Sequence, residues 1–131
     1  MKPRVLFVCV ENSCRSQMAE GFCRHWGEDV IEAWSAGSKP SGKVNETGIA
    51  VMEEKGIDLG SHRSKGLTDL PSVKWDYVIT MGCGDACPFV PSLRTEDWGI
   101  PDPKHLPLDE FRKVRDMIEK KVKELIDEAR G

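Results

Sequence analysis

Apolar and polar positions fall in blocks along this chain, and the blocks differ in period. Arg4–Val10 (RVLFVCV) is a short run rich in β-branched residues, stopped by Glu11 and Asn12, the pattern of a buried strand. Arg15–Trp26 follows with Met18, Phe22 and Trp26 four apart, one face of a helix that Gly27 ends. Val30–Ala36 predicts a second strand, bounded by Gly37 and Pro40. Asn45–Lys55 predicts a second helix with Ile49 and Met52 inward, ended by Gly56. Asp76–Met81 reads as a third strand, stopped by Gly82. Pro88, Pro91, Pro101, Pro103 and Pro107 make the next stretch mostly loop, with a short strand near Arg94–Asp97. Leu108–Arg130 predicts a long amphipathic helix whose stripe is Leu108, Phe111, Val114, Ile118, Val122, Leu125 and Ala129. Trp26 and Trp34 are expected in the core.

Strand alternating with helix implies βαβ units and a parallel sheet in one α/β domain over residues 1–131. Ligands of such sheets bind beyond the carboxyl ends of the strands. The places to look are therefore after Val10, after Ser35 and after Met81.

Composition narrows the class. Lys and Arg number 19 against 22 Asp and Glu, a formal net charge of −3, which argues against nucleic acid as the main partner. With 39% hydrophobic and 31% charged residues the chain is globular rather than disordered. The apolar run Val5–Val10 is too short for a signal-peptide core or a membrane span, so no membrane association and a reducing, cytoplasmic compartment are expected. An odd count of five cysteines argues against a fully paired disulfide framework.

The chemistry begins at the end of the first strand. Cys9-Val10-Glu11-Asn12-Ser13-Cys14-Arg15-Ser16 is a C-x5-R-S loop between a strand and a helix. Such a loop can turn its backbone N–H groups inward as an anion nest at a helix N-terminus. Arg15 adds a planar fork suited to a tetrahedral oxyanion. The same positive field favours a thiolate at Cys9, and Ser16 can donate a hydrogen bond to it. The alternative is a buried strand-end cysteine followed by an ordinary helix with a surface arginine.

After the third strand comes Cys83-Gly84-Asp85-Ala86-Cys87-Pro88. These two cysteines suit a disulfide or half of a zinc site, but no second pair at metal spacing accompanies them. His62 and His105 are single and read as surface or supporting residues. Cys23 reads as a buried filler, and Cys14 faces either the loop interior or the core. A thiolate in an oxyanion cradle at one strand end and a dithiol at another suit thiol–disulfide exchange on an oxyanion. Asp102, between Pro101 and Pro103, suits a general acid or a plain turn, and Asp85, Asp97 and Asp109 are equally eligible.

These residues together resemble the thioredoxin-coupled arsenate reductases, within the low-molecular-weight protein tyrosine phosphatase superfamily. CVENSCRSQMAEGF resembles their active-site segment, and WSAG, the GID-x-x-x-H-x-S-K segment at Gly56–Lys65, MGCGDACP and EDWGIPDP follow in order. The resemblance implies a four-stranded parallel sheet flanked by helices on both faces. It implies arsenate bound by Val10, Glu11, Asn12, Ser13, Cys14, Arg15 and Ser16, with phosphate or sulfate as competing oxyanions. Cys9 would attack arsenic and Asp102 would protonate the departing oxygen. Cys83 would then attack Cys9, and Cys87 would move the disulfide outward to Cys83–Cys87. Thioredoxin or a similar dithiol protein would reduce it, with no flavin, nicotinamide or bound metal on the chain, which is expected to be a monomer.

Three positions depart from the family pattern. Glu11 stands where glycine is common, and a carboxylate beside an anion site is unhelpful unless it points away. Only three residues separate Cys83 from Cys87, a shorter spacer than in better-known members. Lys65 lies near a segment where some relatives place an acidic residue in a potassium site. Its ammonium either replaces the cation, with Glu20 and Ser35 as neighbours, or is a plain surface charge. Two other readings compete. A phosphatase needs only Cys9, Arg15 and Asp102 and leaves the dithiol without a task, and a non-enzymatic anion sensor needs no turnover.

Overall fold

The computed structural model describes residues 2–82 and 90–131. Cys83 and Cys87, singled out above, lie outside the described residues. The elements are β1 (Arg4–Cys9), α1 (Arg15–Gly27), β2 (Glu32–Gly37), α2 (Glu46–Glu53), a 3-10 turn (Leu67–Asp69), β3 (Trp75–Thr80), β4 (Ser92–Asp97) and α3 (Leu108–Arg130). The sheet order is β2-β1-β3-β4, and every pairing is parallel. The expected elements are all present, with ends shifted by one or two residues.

Pleating divides β1 between two cores. Val5, Phe7 and Cys9 face a large cluster that takes in Met18 and Phe22 of α1, Val51 and Met52 of α2, and Phe111, Val114, Ile118 and Val122 of α3. Leu6 and Val8 face a smaller cluster with Trp75 and Val78, flanked by Trp34, Leu67, Leu70 and Val73. The chain reverses direction at β1: β1 to β2 runs one way across the sheet, and β2 to β3 runs back over β1. The two crossovers do not divide the helices between the faces: α2, which lies between β2 and β3, packs in the large cluster with α1 and α3, and the 3-10 turn with its flanking loop covers the other face.

Caps set the helix ends. Asn45 caps α2, its side chain accepting from Gly48 N at 3.0 Å. Asp109 and Glu110 favour the first turn of α3 electrostatically. The apolar stripe of α3 is buried from Phe111 to Leu125, with Ile126 in place of the expected Ala129, and Leu108 is exposed.

Trp26 corrects an expectation. It is 43% exposed, while its neighbour Gly27 is buried. A Cβ at Gly27 would lie 2.6 Å from Ile126 Cγ1, so α1 and α3 touch through a glycine. That close approach turns Trp26 outward, where Lys123 Nζ sits 4.7 Å from the ring centroid. Trp34, also expected in the core, is half-buried and packs edge-on against Trp75.

Candidate active site

Direction reverses at the carboxyl end of β1, and there the C-x5-R loop stands. Cys9 ends the strand and is 3% exposed. The loop is pinned from outside through its carbonyls. Val10 O accepts from Lys39 N at 2.8 Å, Glu11 O from Ser41 N at 3.1 Å and Ser64 Oγ at 2.6 Å, and Ser13 O from Asn45 N at 3.0 Å. In a trans peptide the carbonyl and the next N–H point opposite ways. Outward carbonyls at Val10, Glu11 and Ser13 therefore turn the N–H groups of Glu11, Asn12 and Cys14 inward. Asn12 N donates to Cys9 Sγ at 3.2 Å, as this requires. The inward N–H groups and Cys9 share the floor of the loop, the backbone arrangement that an anion nest requires.

Asn12 carries the turn. Its φ is +51°, in the left-handed region that asparagine tolerates better than most residues. The left-handed turn falls one residue after Glu11, the position where the family pattern commonly has glycine. Gly37, at the end of β2, makes room for the loop: a Cβ there would lie 2.4 Å from Val10 O and 2.8 Å from Asn12 N.

A chain of hydrogen bonds runs behind Cys9. Ser16 Oγ lies 2.8 Å from Cys9 Sγ and accepts from Asn12 Nδ2 at 2.8 Å. Asn12 Oδ1 accepts from Gln17 Nε2 and from Lys65 N, each at 2.9 Å. Gln17 Oε1 meets His62 Nδ1 at 3.1 Å. Burial lowers the pKa of His62, opposed by the nearby Glu20 carboxylate. Lys65 Nζ lies 3.4 Å from Glu20 Oε1 and 3.3 Å from Ser35 Oγ, the neighbours expected of it. Arg24 Nε completes the surroundings of the buried Glu20 carboxylate at 2.9 Å. Among the described residues no group of three or more His, Cys, Asp or Glu is placed to hold a metal.

Arg15 is 8% exposed, and its Nη1 donates to Met81 O at 2.6 Å and Ile100 O at 2.9 Å. Two of its five N–H groups are spent on orienting the fork, which borders the cavity. Those carbonyls belong to the loops after β3 and β4, so the arginine ties three strand ends together. The loop after β4 is anchored by Trp98, whose N donates to Thr80 O at 2.9 Å and whose ring packs on Phe7.

Cys9, Val10, Glu11, Ser13, Cys14, Arg15, Asp102 and Lys104 line one cavity of about 210 Å³. Cys9, Arg15 and Asp102, the candidates of the sequence, thus meet in one place. Asn12 and Ser16 support it from behind. Of the competing aspartates, Asp97 accepts from Gly99 N and Asp109 pairs with Arg112, while Asp85 lies outside the described residues. Cys14 faces the cavity, and burial, reinforced by Asp102, pushes its pKa up to about 12. Cys23 is fully buried in α1 and raised to about 12 by burial. His105 is exposed.

Three residues escaped the sequence reading. Gln17 and Gly37 sit inside segments that were recognised, with no pattern of their own. Lys104 stands two residues after Asp102 and reaches Glu11 from 93 positions away.

The site thus brings a strand-end cysteine, a C-x5-R loop and an aspartate to one cavity beyond the carboxyl ends of the strands. The sequence profile of the family described as low molecular weight phosphotyrosine protein phosphatase matches residues 4–130, and the chain belongs to that family. Within it the chain is 41% identical over 126 residues to the glutaredoxin arsenate reductase of Synechocystis sp., covering 94% of this chain and 95% of that protein. It is 40% identical over 134 residues to arsenate reductase 2 of Staphylococcus saprophyticus, covering 96% and 98%. Among solved structures, an arsenate reductase in a phosphate-binding state superposes with a TM-score of 0.86 at 39% identity, covering 98% of this chain and 99% of that one. A thioredoxin-dependent arsenate reductase of Corynebacterium glutamicum superposes with a TM-score of 0.77 at 30% identity, covering 98% of this chain and 62% of its own. Among the described residues no helix is long and apolar enough to cross a membrane.

Proposed function

We propose that this chain reduces arsenate to arsenite with its own thiols and is recycled by an external dithiol. The observation that carries the reading is the joint lining of one small anion cavity by Cys9, Arg15 and Asp102. The dithiol Cys83 and Cys87, present in the sequence, and the similarity to arsenate reductases favour reduction over hydrolysis.

In this mechanism the loop N–H groups and Arg15 hold the oxyanion, as fixed donors aimed at its charge. The Cys9 thiolate attacks arsenic and forms an S–As bond. One As–O bond breaks, and the departing oxygen takes a proton from Asp102 and leaves as water. The Cys83 thiolate next attacks Cys9 Sγ. An S–S bond forms, the S–As electron pair stays on arsenic, and As(V) becomes As(III). Cys87 then attacks Cys83, freeing Cys9 and leaving Cys83–Cys87 oxidised. Two electrons from an external dithiol, thioredoxin or glutaredoxin, restore the start. Ser16 and Asn12 hydrogen-bond the thiolate both before attack and when it is released.

The phosphatase alternative uses the same cavity and Asp102 but neither Cys83 nor Cys87. The test is arsenate-dependent NADPH oxidation with thioredoxin and thioredoxin reductase, and in parallel with glutathione, glutathione reductase and glutaredoxin. Turnover in either system that Cys87→Ser abolishes is the expected result. Sustained multiple turnover by Cys87→Ser refutes the relay, and aryl phosphate hydrolysis without arsenate turnover replaces the reading with the phosphatase one.

A further inference from the structure

At the mouth of the cavity two opposite charges close on each other. Lys104 Nζ lies 2.8 Å from both Glu11 Oε1 and Glu11 Oε2. Glu11 belongs to the anion loop and Lys104 to the loop that carries Asp102. Lys104 N donates to Asp102 Oδ1 at 3.1 Å, so the lysine is bonded to the acid by its backbone and to the anion loop by its side chain. Both charged residues line the anion cavity and also the larger cleft beside it, about 380 Å³, which Lys43 and Asn45 border. They therefore stand on the rim between the two. The pair raises the pKa of Lys104, keeping the ammonium charged.

An isolated carboxylate on this rim would repel any oxyanion approaching Cys9. A lysine held against both of its oxygens cancels that field and fixes the Asp102 loop to the nest. We propose that Glu11 and Lys104 form a charge-cancelling strap across the mouth of the anion cavity, with Lys104 a positioning residue that acts through Glu11. The inference rests on the reading that the cavity takes a tetrahedral oxyanion, whatever chemistry follows. It also accounts for a carboxylate in a loop built to attract anions: Glu11 is tolerated because Lys104 accompanies it.

The test is inorganic phosphate binding to the reduced full-length protein, followed by calorimetry. Removing the cation alone, Lys104→Met, uncovers Glu11 and weakens phosphate about three- to fivefold, the scale of a partly exposed ion pair. Glu11→Gln frees the lysine and tightens binding by a similar factor. The double variant Glu11→Gln/Lys104→Met recovers most of the single variant's loss, and Lys104→Arg retains affinity. If the double variant binds as weakly as Lys104→Met, the lysine serves the anion directly and the proposal is overturned. Single variants that both stay within twofold of wild type overturn it as well. Wild type that binds phosphate but never turns over arsenate refutes the reductase reading and leaves the strap standing; wild type that binds no phosphate overturns both.

Discussion

Replacing Asn12 tests how the anion nest is held in shape. The residue is fully buried, sits at φ +51° and bonds Cys9, Ser16 and Gln17. Asn12→Ala removes three side-chain hydrogen bonds: to Ser16 Oγ, from Gln17 Nε2 and from Lys65 N. At about 1 kcal/mol each the loss is about 3 kcal/mol. Gln17 keeps Arg63 O as an acceptor at 2.8 Å, so its amide is not stranded, whereas Lys65 N loses its partner. Alanine also pays for the left-handed backbone, about 1–2 kcal/mol. Asn12→Gly loses the same bonds without that strain but gains freedom when unfolded, about 0.5–1 kcal/mol. The expected order is wild type most stable, glycine next and alanine last, with a gap of about 0.5–1 kcal/mol between the two variants. Urea unfolding of the reduced protein measures both gaps. Alanine more stable than glycine by about 0.5–1 kcal/mol would show that the turn is not strained. Either variant within about 1 kcal/mol of wild type would show that the buried bonds do not hold the loop.

Two further predictions concern the same layer. Gly37→Ala must displace Val10 or Asn12, since no side chain lies there to yield, and should abolish phosphate binding while the protein still shows a helical far-ultraviolet spectrum; retained affinity would refute the steric reading. His62 is held neutral by burial, with a pKa below its ordinary value of 6.5. Its contribution is therefore present above that pH and lost as pH falls toward the folded value, because the unfolded chain takes up the proton first. Wild type should lose more thermal stability than His62→Gln as the pH is lowered below 6.5, and parallel pH curves for the two would sink the assignment.

The fold was legible wherever period and punctuation agreed. β1 and α3 have strong runs with clear stops, and the glycines after α1 and α2 marked real ends. The C-x5-R loop was legible because its pattern is contiguous: strand, C-x5-R-S and the start of the helix lie within the thirteen residues Arg4–Ser16. What was hidden depended on distance in sequence. Nothing in Lys104 announces Glu11, and nothing in Gln17 announces His62, since each pair is joined only once the sheet is assembled. Trp26 was misplaced for a different reason. Its four-residue spacing fitted the helical period, but the contact between α1 and α3 was already filled by backbone and Ile126 at Gly27. Asp102 was one aspartate among several until Trp98 and Arg15 were seen to bring its loop over β1.

The central position of β1 has a consequence for how the protein is made. Each neighbour of the first strand is a parallel partner that follows it in sequence, so no local hairpin can shelter it while the chain is short. Cys9 leaves the ribosome more than ninety residues ahead of the segment holding Asp102 and Lys104. At about 5–20 residues per second that interval is roughly 5–20 s. Throughout it the Cys9 thiol lacks the segment of Asp102 and Lys104 that lines its cavity in the finished fold. Completion of α3, the last element, shuts the large core over the face on which Cys9 lies. The redox state of the surroundings during synthesis therefore bears on how many copies begin life with a usable thiol.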